Sequence, residues 1–426
     1  MKPISDKDLI VSKMAENLVG SEIIKLAGEV KKMMLNGDKI YNFTIGDFNP
    51  EYFPIPDAFK EEIINAYQDN QTNYPASNGM EELRIAISDY ISKNQGLEYS
   101  KDEFLISGGA RPLIYATYQA LVDPNDYVIF PTPSWNNNHY THLSHANPIF
   151  IEATAENNFM PVRKDIEPHI KKATLVTLCS PLNPTGTLFS KEQLVDICEM
   201  ILEENKRRKS GQKPVYLLYV QIYWQLVHGN YEHVDPVSLF PEMRNYTVFI
   251  DGISKVFAST GVRVGWAFGP ERIMGKMKAI LGHVGAWAPK AEQIATGKFL
   301  NRSEDVKTYL LDIKTKAYSR LSQFHAGFED LRKKGFPVLA ITPQAAIYLT
   351  VKFDLKGKIK PNGKIINTTE DITAYILNHA KLAIVPFYAF GAPKESTWYR
   401  LSIGTSNIDE IPAVFKQLES ALSLLK

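Results

Sequence analysis

Short continuous apolar runs, each closed by turn residues, alternate with stretches in helical rhythm through the middle of the chain. The runs are Asp126–Pro131, Pro148–Glu152, Thr174–Ser180, Val215–Val220, Tyr246–Ile250 and Arg263–Phe268. Apolar runs without polar alternation predict strands buried on both faces, as in a parallel sheet covered by helices. One helix is well delimited. Ser190 caps it, Gln193 completes a capping box, and Leu194, Ile197, Cys198, Ile201 and Leu202 form one apolar stripe. This alternation of strand and helix predicts an α/β fold with a large, doubly wound, mostly parallel sheet.

From residue 302 the rhythm changes. A long charged helical stretch (303–335) is followed by strand-like 338–354, helical 371–380 and a short strand at 382–387. These read as a smaller α+β domain. The predicted division is an N-terminal segment, 1–50, a large domain, 51–301, and a small C-terminal domain, 302–426. The N-terminal segment is expected to be partly helical, amphipathic over Ile23–Met34, and to touch the small domain and a dimer partner without entering either sheet core.

Composition narrows the class. Across 426 residues, 44% hydrophobic and 22% charged content excludes a disordered or fibrous chain. The net charge of +1 gives no electrostatic reason to expect nucleic acid or an anionic membrane. Only two cysteines, Cys179 and Cys198, point to a reducing compartment. The first twenty residues interleave charged with apolar positions and lack a signal-peptide core, and no apolar run reaches the roughly 18 residues of a membrane span. The expected location is the cytoplasm. His139, His142 and His145 are spaced to share a helical face, but no carboxylate or cysteine lies close in sequence, so no metal site is expected.

The chemistry concentrates in Asp251–Pro270, DGISKVFASTGVRVGWAFGP, which runs from one predicted strand end into the next strand. Lys255 stands just past the strand end, where open α/β sheets bind ligands. A lysine there forms a Schiff base with a carbonyl when its surroundings lower its pKa. Ser254 beside it and Arg263 eight residues on suit a dianionic phosphate. Taken alone, the same residues also suit an ordinary surface pair.

Ser254-Lys255, with Phe257, Gly261, Arg263, Gly265 and Trp266, resembles the cofactor-lysine signature of the class I/II aminotransferases, the fold-type-I pyridoxal-phosphate enzymes. Further stations follow in order over nearly the whole chain, and the pattern resembles that of bacterial aspartate aminotransferase-like members. Thr44–Phe53 resembles the early glycine loop, which implies Gly46 near the substrate carboxylate. Tyr74-Pro75, with Gly79 and Leu83-Arg84, resembles the segment whose tyrosine reaches the cofactor phosphate of the neighbouring subunit, and this implies a homodimer with composite sites. Ser107-Gly108-Gly109-Ala110 resembles the phosphate-cradling turn, in which glycines let backbone N–H groups approach the anion ahead of a helix. The resemblance puts Trp135 on the pyridine face. Asn183 of the Asn-Pro-Thr-Gly turn and Tyr223 become donors to the cofactor's phenolic oxygen, and Arg400 the grip on the substrate α-carboxylate.

The pattern breaks at Val220. The family carries an aspartate three residues before the tyrosine, where it pairs with the protonated pyridine nitrogen, and this chain reads Val220-Gln221-Ile222-Tyr223. Valine offsets no charge, and strand alternation sends Gln221 to the other face. The resemblance therefore implies a neutral nitrogen and transamination weakened by about 10²–10³-fold. Milder departures are Gly252 in place of a phosphate-binding serine and Ala110 where an acidic-substrate subgroup has lysine; the adjacent Arg111 suits either a substitute for that lysine or, as is commoner at a helix start, a solvated surface charge. Phe387-Tyr388 stands where small residues are usual and is expected to narrow the pocket.

What the resemblance implies is a pyridoxal 5′-phosphate-dependent aminotransferase moving an amino group between an L-amino acid and a 2-oxo acid, with Lys255 and Tyr223 in the catalytic machinery. Two other readings use the same residues: a C–S lyase or decarboxylase on the same fold, or a non-catalytic relative.

Overall fold

The structure, a computed structural model, describes residues 10–18, 20 and 22–426. Its main sheet has seven strands in the spatial order Phe104–Ser107, Gly265–Phe268, Thr247–Gly252, Tyr216–Val220, Ala173–Cys179, Tyr127–Thr132 and Asn147–Glu152. The last five run parallel. Successive residues of a strand enter opposite cores. Leu217 and Tyr219 pack in one cluster with Phe249 and Trp266, while Leu218 packs in the other with Val248, Ile250 and Leu113. Both pleat faces are covered, which is why these strands are written as continuous apolar runs.

Some details depart from the expected sheet. Phe104–Ser107 is a further edge strand, too short to stand out as a run. Gly265–Phe268 is antiparallel to both neighbours, so one end of the sheet is mixed. It begins two residues later than expected because Arg263 has a φ of 64°, outside the strand region. Asn147–Glu152 is the opposite edge and is covered on one face only: Ile149 and Ile151 are buried, whereas Phe150 is 52% exposed. The helix Lys191–Arg207 forms as predicted. Its Ser190 Oγ accepts from the Gln193 amide at 3.2 Å, and Gln193 Oε1 accepts from the Ser190 amide at 3.0 Å.

A 31-residue helix, Ser303–Lys333, packs with a four-stranded antiparallel sheet in the order Val385–Pro386, Trp398–Ser402, Tyr348–Phe353, Val338–Ala340. Their shared core contains Phe324, Phe328, Leu349, Val351 and Leu401. The expectation that residues before 50 join neither core is corrected. Phe43 and Phe48 are buried in this second core, with Phe43 edge-on to Phe324 at 5.1 Å. Tyr41–Asn42 also pairs in parallel with Leu382–Ala383. Burying two phenylalanine side chains outweighs any preference of this segment for an independent course. The predicted amphipathic stretch lies in the helix Glu22–Leu35.

Residues 1–9, part of the N-terminal stretch read above for charge, lie outside the described residues. No helix among the described residues is long and apolar enough to cross a membrane. His139 and His142 lie on the helix Asn137–Leu143, but His145 falls beyond its end at a φ of 54°, so the three do not share one helical face.

Candidate active site

The strand Thr247–Gly252 delivers Lys255 through a single helical turn, Ile253–Val256, into a cavity of about 600 Å³. Neighbouring strand ends add Val220, Tyr223 and Asn183, the antiparallel sheet adds Tyr348 and Arg400, and the N-terminal region adds Gly46 and Asp47. Ile23 and Ala27 of the helix Glu22–Leu35 complete part of the wall.

Lys255 Nζ donates to the Gly46 carbonyl at 2.6 Å. Burial pulls its amine down from 10.5 to about 8. Asp47 opposes that shift, and Arg400, Arg111 and Arg263 reinforce it. Asp47 is the one acid among the described residues lining the cavity, and its carboxylate accepts from the Thr260 hydroxyl at 2.8 and 3.0 Å. Replacing it by asparagine keeps an acceptor for Thr260 and removes the charge. We expect Asp47→Asn to move the Lys255 midpoint below about 8, enlarging the neutral, nucleophilic fraction at pH 7. The pH dependence of Lys255 acylation, read by peptide mass, checks this; an unmoved or higher midpoint contradicts it.

Beside the lysine is a built anion pocket. The turn Ser107-Gly108-Gly109 leads into the helix Ala110–Leu121, whose N-terminus carries no side-chain cap. Its first N–H groups therefore remain for an anion. Arg263 donates to the Gly108 carbonyl at 2.7 Å and to the Thr260 carbonyl at 2.8 Å. Gly109 has a φ of 98°, and a Cβ there would lie 2.3 Å from an Arg263 guanidinium nitrogen, so only glycine permits this approach. Ala110, Ser254 and Arg263 line the cavity, while Gly108 and Gly109 shape the turn behind it.

Across the cavity, Arg400 is 2% exposed and has only neutral partners. It donates to Asn183 Oδ1 at 3.0 Å and to the Thr44 carbonyl at 2.6 Å, and its Nε has no partner at all. The rings of Tyr348 and Phe390 lie 4.8 and 4.9 Å from the guanidinium carbon. A buried cation without a counter-charge is costly, and a carboxylate entering the cavity would offset it. Asn183 offers its oxygen to Arg400, which leaves its amide N–H groups for the cavity. The Tyr223 and Tyr348 hydroxyls are 2.6 Å apart.

Val220 lines the cavity, whereas Gln221 is fully buried on the other side, exchanging hydrogen bonds with Gln95 at 3.2 and 2.9 Å. Trp135 lines the wall with the exposed Arg111 guanidinium 5.4 Å from its ring. Tyr74 is not brought into this cavity. It is 83% exposed and packs edge-on against Trp287 at 5.3 Å. The expectation for Phe387-Tyr388 is corrected: neither lines the cavity, and Phe387 is buried in a separate cluster with Phe159 and Phe390. Sequence reasoning missed Asp47 and Tyr348. Asp47 follows Gly46 directly, and its sign in an otherwise cationic site was the available signal.

A strand-end lysine poised between an anion pocket and a buried guanidinium is the arrangement of an enzyme that handles an amine beside two anionic groups. The model of the family "Aminotransferase class I and II" matches residues 38–415, and the chain belongs to that family; it is an aminotransferase. It is 29% identical over 396 residues to an "Aspartate aminotransferase" of Rhizobium meliloti (strain 1021), covering 91% of this chain and 90% of the relative. It is 30% identical over 373 residues to a "Probable aspartate/prephenate aminotransferase" of Rickettsia felis, covering 87% and 86%. The crystal structure of the aspartate aminotransferase from Rhizobium meliloti superposes with a TM-score of 0.90 at 27% identity, covering 98% of this chain and all of that one.

Proposed function

We propose that this aminotransferase works with pyridoxal 5′-phosphate held covalently on Lys255, in the domain 51–301, and that dicarboxylic L-amino acids of the aspartate type are its donors. One observation carries the reading: a half-buried lysine with a depressed pKa sits between a glycine turn that Arg263 approaches closely and an arginine, Arg400, with an unpartnered Nε. Those features fit the cofactor's phosphate and the substrate's carboxylate. When bound, the cofactor supplies an aldehyde that captures amines and a ring that accepts electron density as the substrate's Cα proton leaves.

The residues then have separate tasks. Ser254, Arg263 and the Gly108-Gly109-Ala110 turn would hold the phosphate dianion. Trp135 would face the ring, and Asn183 and Tyr223 would donate to its phenolic oxygen. Arg400 grips the α-carboxylate beside the Gly46 loop, which fixes the Cα–H direction. Lys255 Nζ would hold the cofactor and, when free, would be the base that takes the Cα proton. Arg111, on the cavity wall, receives a second carboxylate, in keeping with the word "aspartate" in the relatives' names. Exposed Tyr74 serves the phosphate site of a second copy, so the working form is a homodimer. Two free cysteines suit the cytoplasm.

Val220 leaves the ring nitrogen without an acid, so the reaction runs slowly. Val220→Asp is expected to raise turnover at least about tenfold, measured with aspartate and 2-oxoglutarate; no gain refutes this account of position 220. The same valine favours a second reading, a lyase or decarboxylase, and one experiment separates them. With amino acid alone, an aminotransferase forms one equivalent of oxo acid per subunit and stops. Continued turnover supports the lyase or decarboxylase, and no conversion supports a non-catalytic relative.

A further inference from the structure

We infer that the Tyr348 hydroxyl is a positioning group: it donates its proton to the Tyr223 oxygen and thereby commits the Tyr223 proton to the cavity. The inference rests on the cofactor reading above and deepens it.

The two phenolic oxygens are 2.6 Å apart, and both side chains are at least 98% buried, so one must donate and the other accept. If Tyr223 were the donor, the Tyr348 proton would need another acceptor. The nearest candidate is the Gly46 loop, which approaches so closely that a Cβ at Gly46 would lie 2.8 Å from the Tyr348 oxygen. The Gly46 carbonyl accepts from Lys255 Nζ at 2.6 Å, and the Tyr348 hydroxyl is bonded to Tyr223, not to it. If Tyr348 is the donor, the freed Tyr223 O–H faces the cavity, where the phenolic oxygen of the proposed cofactor would accept it.

Electrostatics agrees with this direction. The Arg400 guanidinium lies 4.8 Å from the Tyr348 ring centre, and a cation beside a phenol strengthens it as a donor. Burial raises both phenols, and the Arg400 cation opposes that rise. Asn183 is set by the same arginine, with its oxygen on Arg400 and its N–H groups toward the cavity. Arg400 thus orients both donors to the phenolic oxygen, Asn183 directly and Tyr223 through Tyr348. A chain of hydrogen bonds polarised in one direction strengthens its last member.

The test is Tyr348→Phe, which keeps the ring against Arg400 and removes only the hydroxyl. The readout is the pH midpoint of the visible absorption band after loading with pyridoxal phosphate. A weaker Tyr223 donor stabilises the phenolic anion less, so the form in which that anion is uncompensated appears at higher pH. The expected shift is upward by about half a pH unit. Tyr223→Phe should shift it further, and adding Tyr348→Phe to Tyr223→Phe should change nothing more, because the hydroxyl acts only through Tyr223. An unmoved midpoint in Tyr348→Phe, or an undiminished shift in the Tyr223→Phe background, overturns the inference. Wild-type protein that takes up no colour defeats the cofactor reading itself, and with it this inference.

Discussion

Lys255→Ala abolishes covalent capture of pyridoxal phosphate and lowers transamination by at least about 10⁴-fold, while the fold survives. The loss is large because the proposed role gives one amine two tasks, holding the cofactor and moving the Cα proton, and no neighbour can take over either. The other cationic side chains lining the cavity, Arg111, Arg263 and Arg400, are guanidinium groups, which do not deprotonate in this range. The fold survives because Nζ makes a single hydrogen bond, to the Gly46 carbonyl, and its burial is unfavourable to the charge. The amine is held at about 8 in the folded chain against 10.5 outside it, so below pH 8 the folded state carries a cation it solvates poorly. Removing that group leaves the melting temperature of the cofactor-free protein level or higher at pH 7. A marked fall in melting temperature would mean that the lysine is a structural residue.

Arg400→Lys lowers kcat/KM for amino-acid donors by about 10²- to 10³-fold, mostly through KM, and leaves cofactor uptake in place. The substitution keeps the charge but not the planar fork, so it tests the two-point grip on a carboxylate specifically. Arg400 now divides its donors between Asn183, the Thr44 carbonyl and an empty-handed Nε. A lysine ammonium cannot reach the same set from one point. Simple amines, which lack the α-carboxylate, should react with both proteins at similar rates. Equal losses for amines and amino acids would show that Arg400 supports the cavity wall and not the substrate.

The parts of the site legible in the sequence are those whose chemistry is local. Lys255 with Ser254 and Arg263, the Asn183 turn and the Gly108-Gly109 turn each need particular residue types at fixed short spacings, because backbone and side chain must converge on one ligand. The central parallel strands were legible for a similar reason, since burial on both faces leaves an unbroken apolar run. What depended on distant partners was not. Tyr348 sits in a strand and reads as core; its meaning comes from Tyr223, 125 residues earlier. Asp47 matters through Lys255, whose amine meets the adjacent Gly46 carbonyl across 209 residues. The edges of the sheet were hidden too. Phe104–Ser107 is only four residues long, and the antiparallel course of Gly265–Phe268 is decided by which strand it neighbours. Phe387 was placed near the substrate by its position in the chain, whereas its bulk carries it into a cluster with Phe159 and Phe390.

The most direct measurement is to saturate the purified protein with pyridoxal phosphate, reduce it with borohydride and map the modified peptide by mass. The account predicts a coloured protein and a stable phosphopyridoxyl tag on the Lys255 side chain. A colourless protein, or a tag carried by any other lysine, would contradict it.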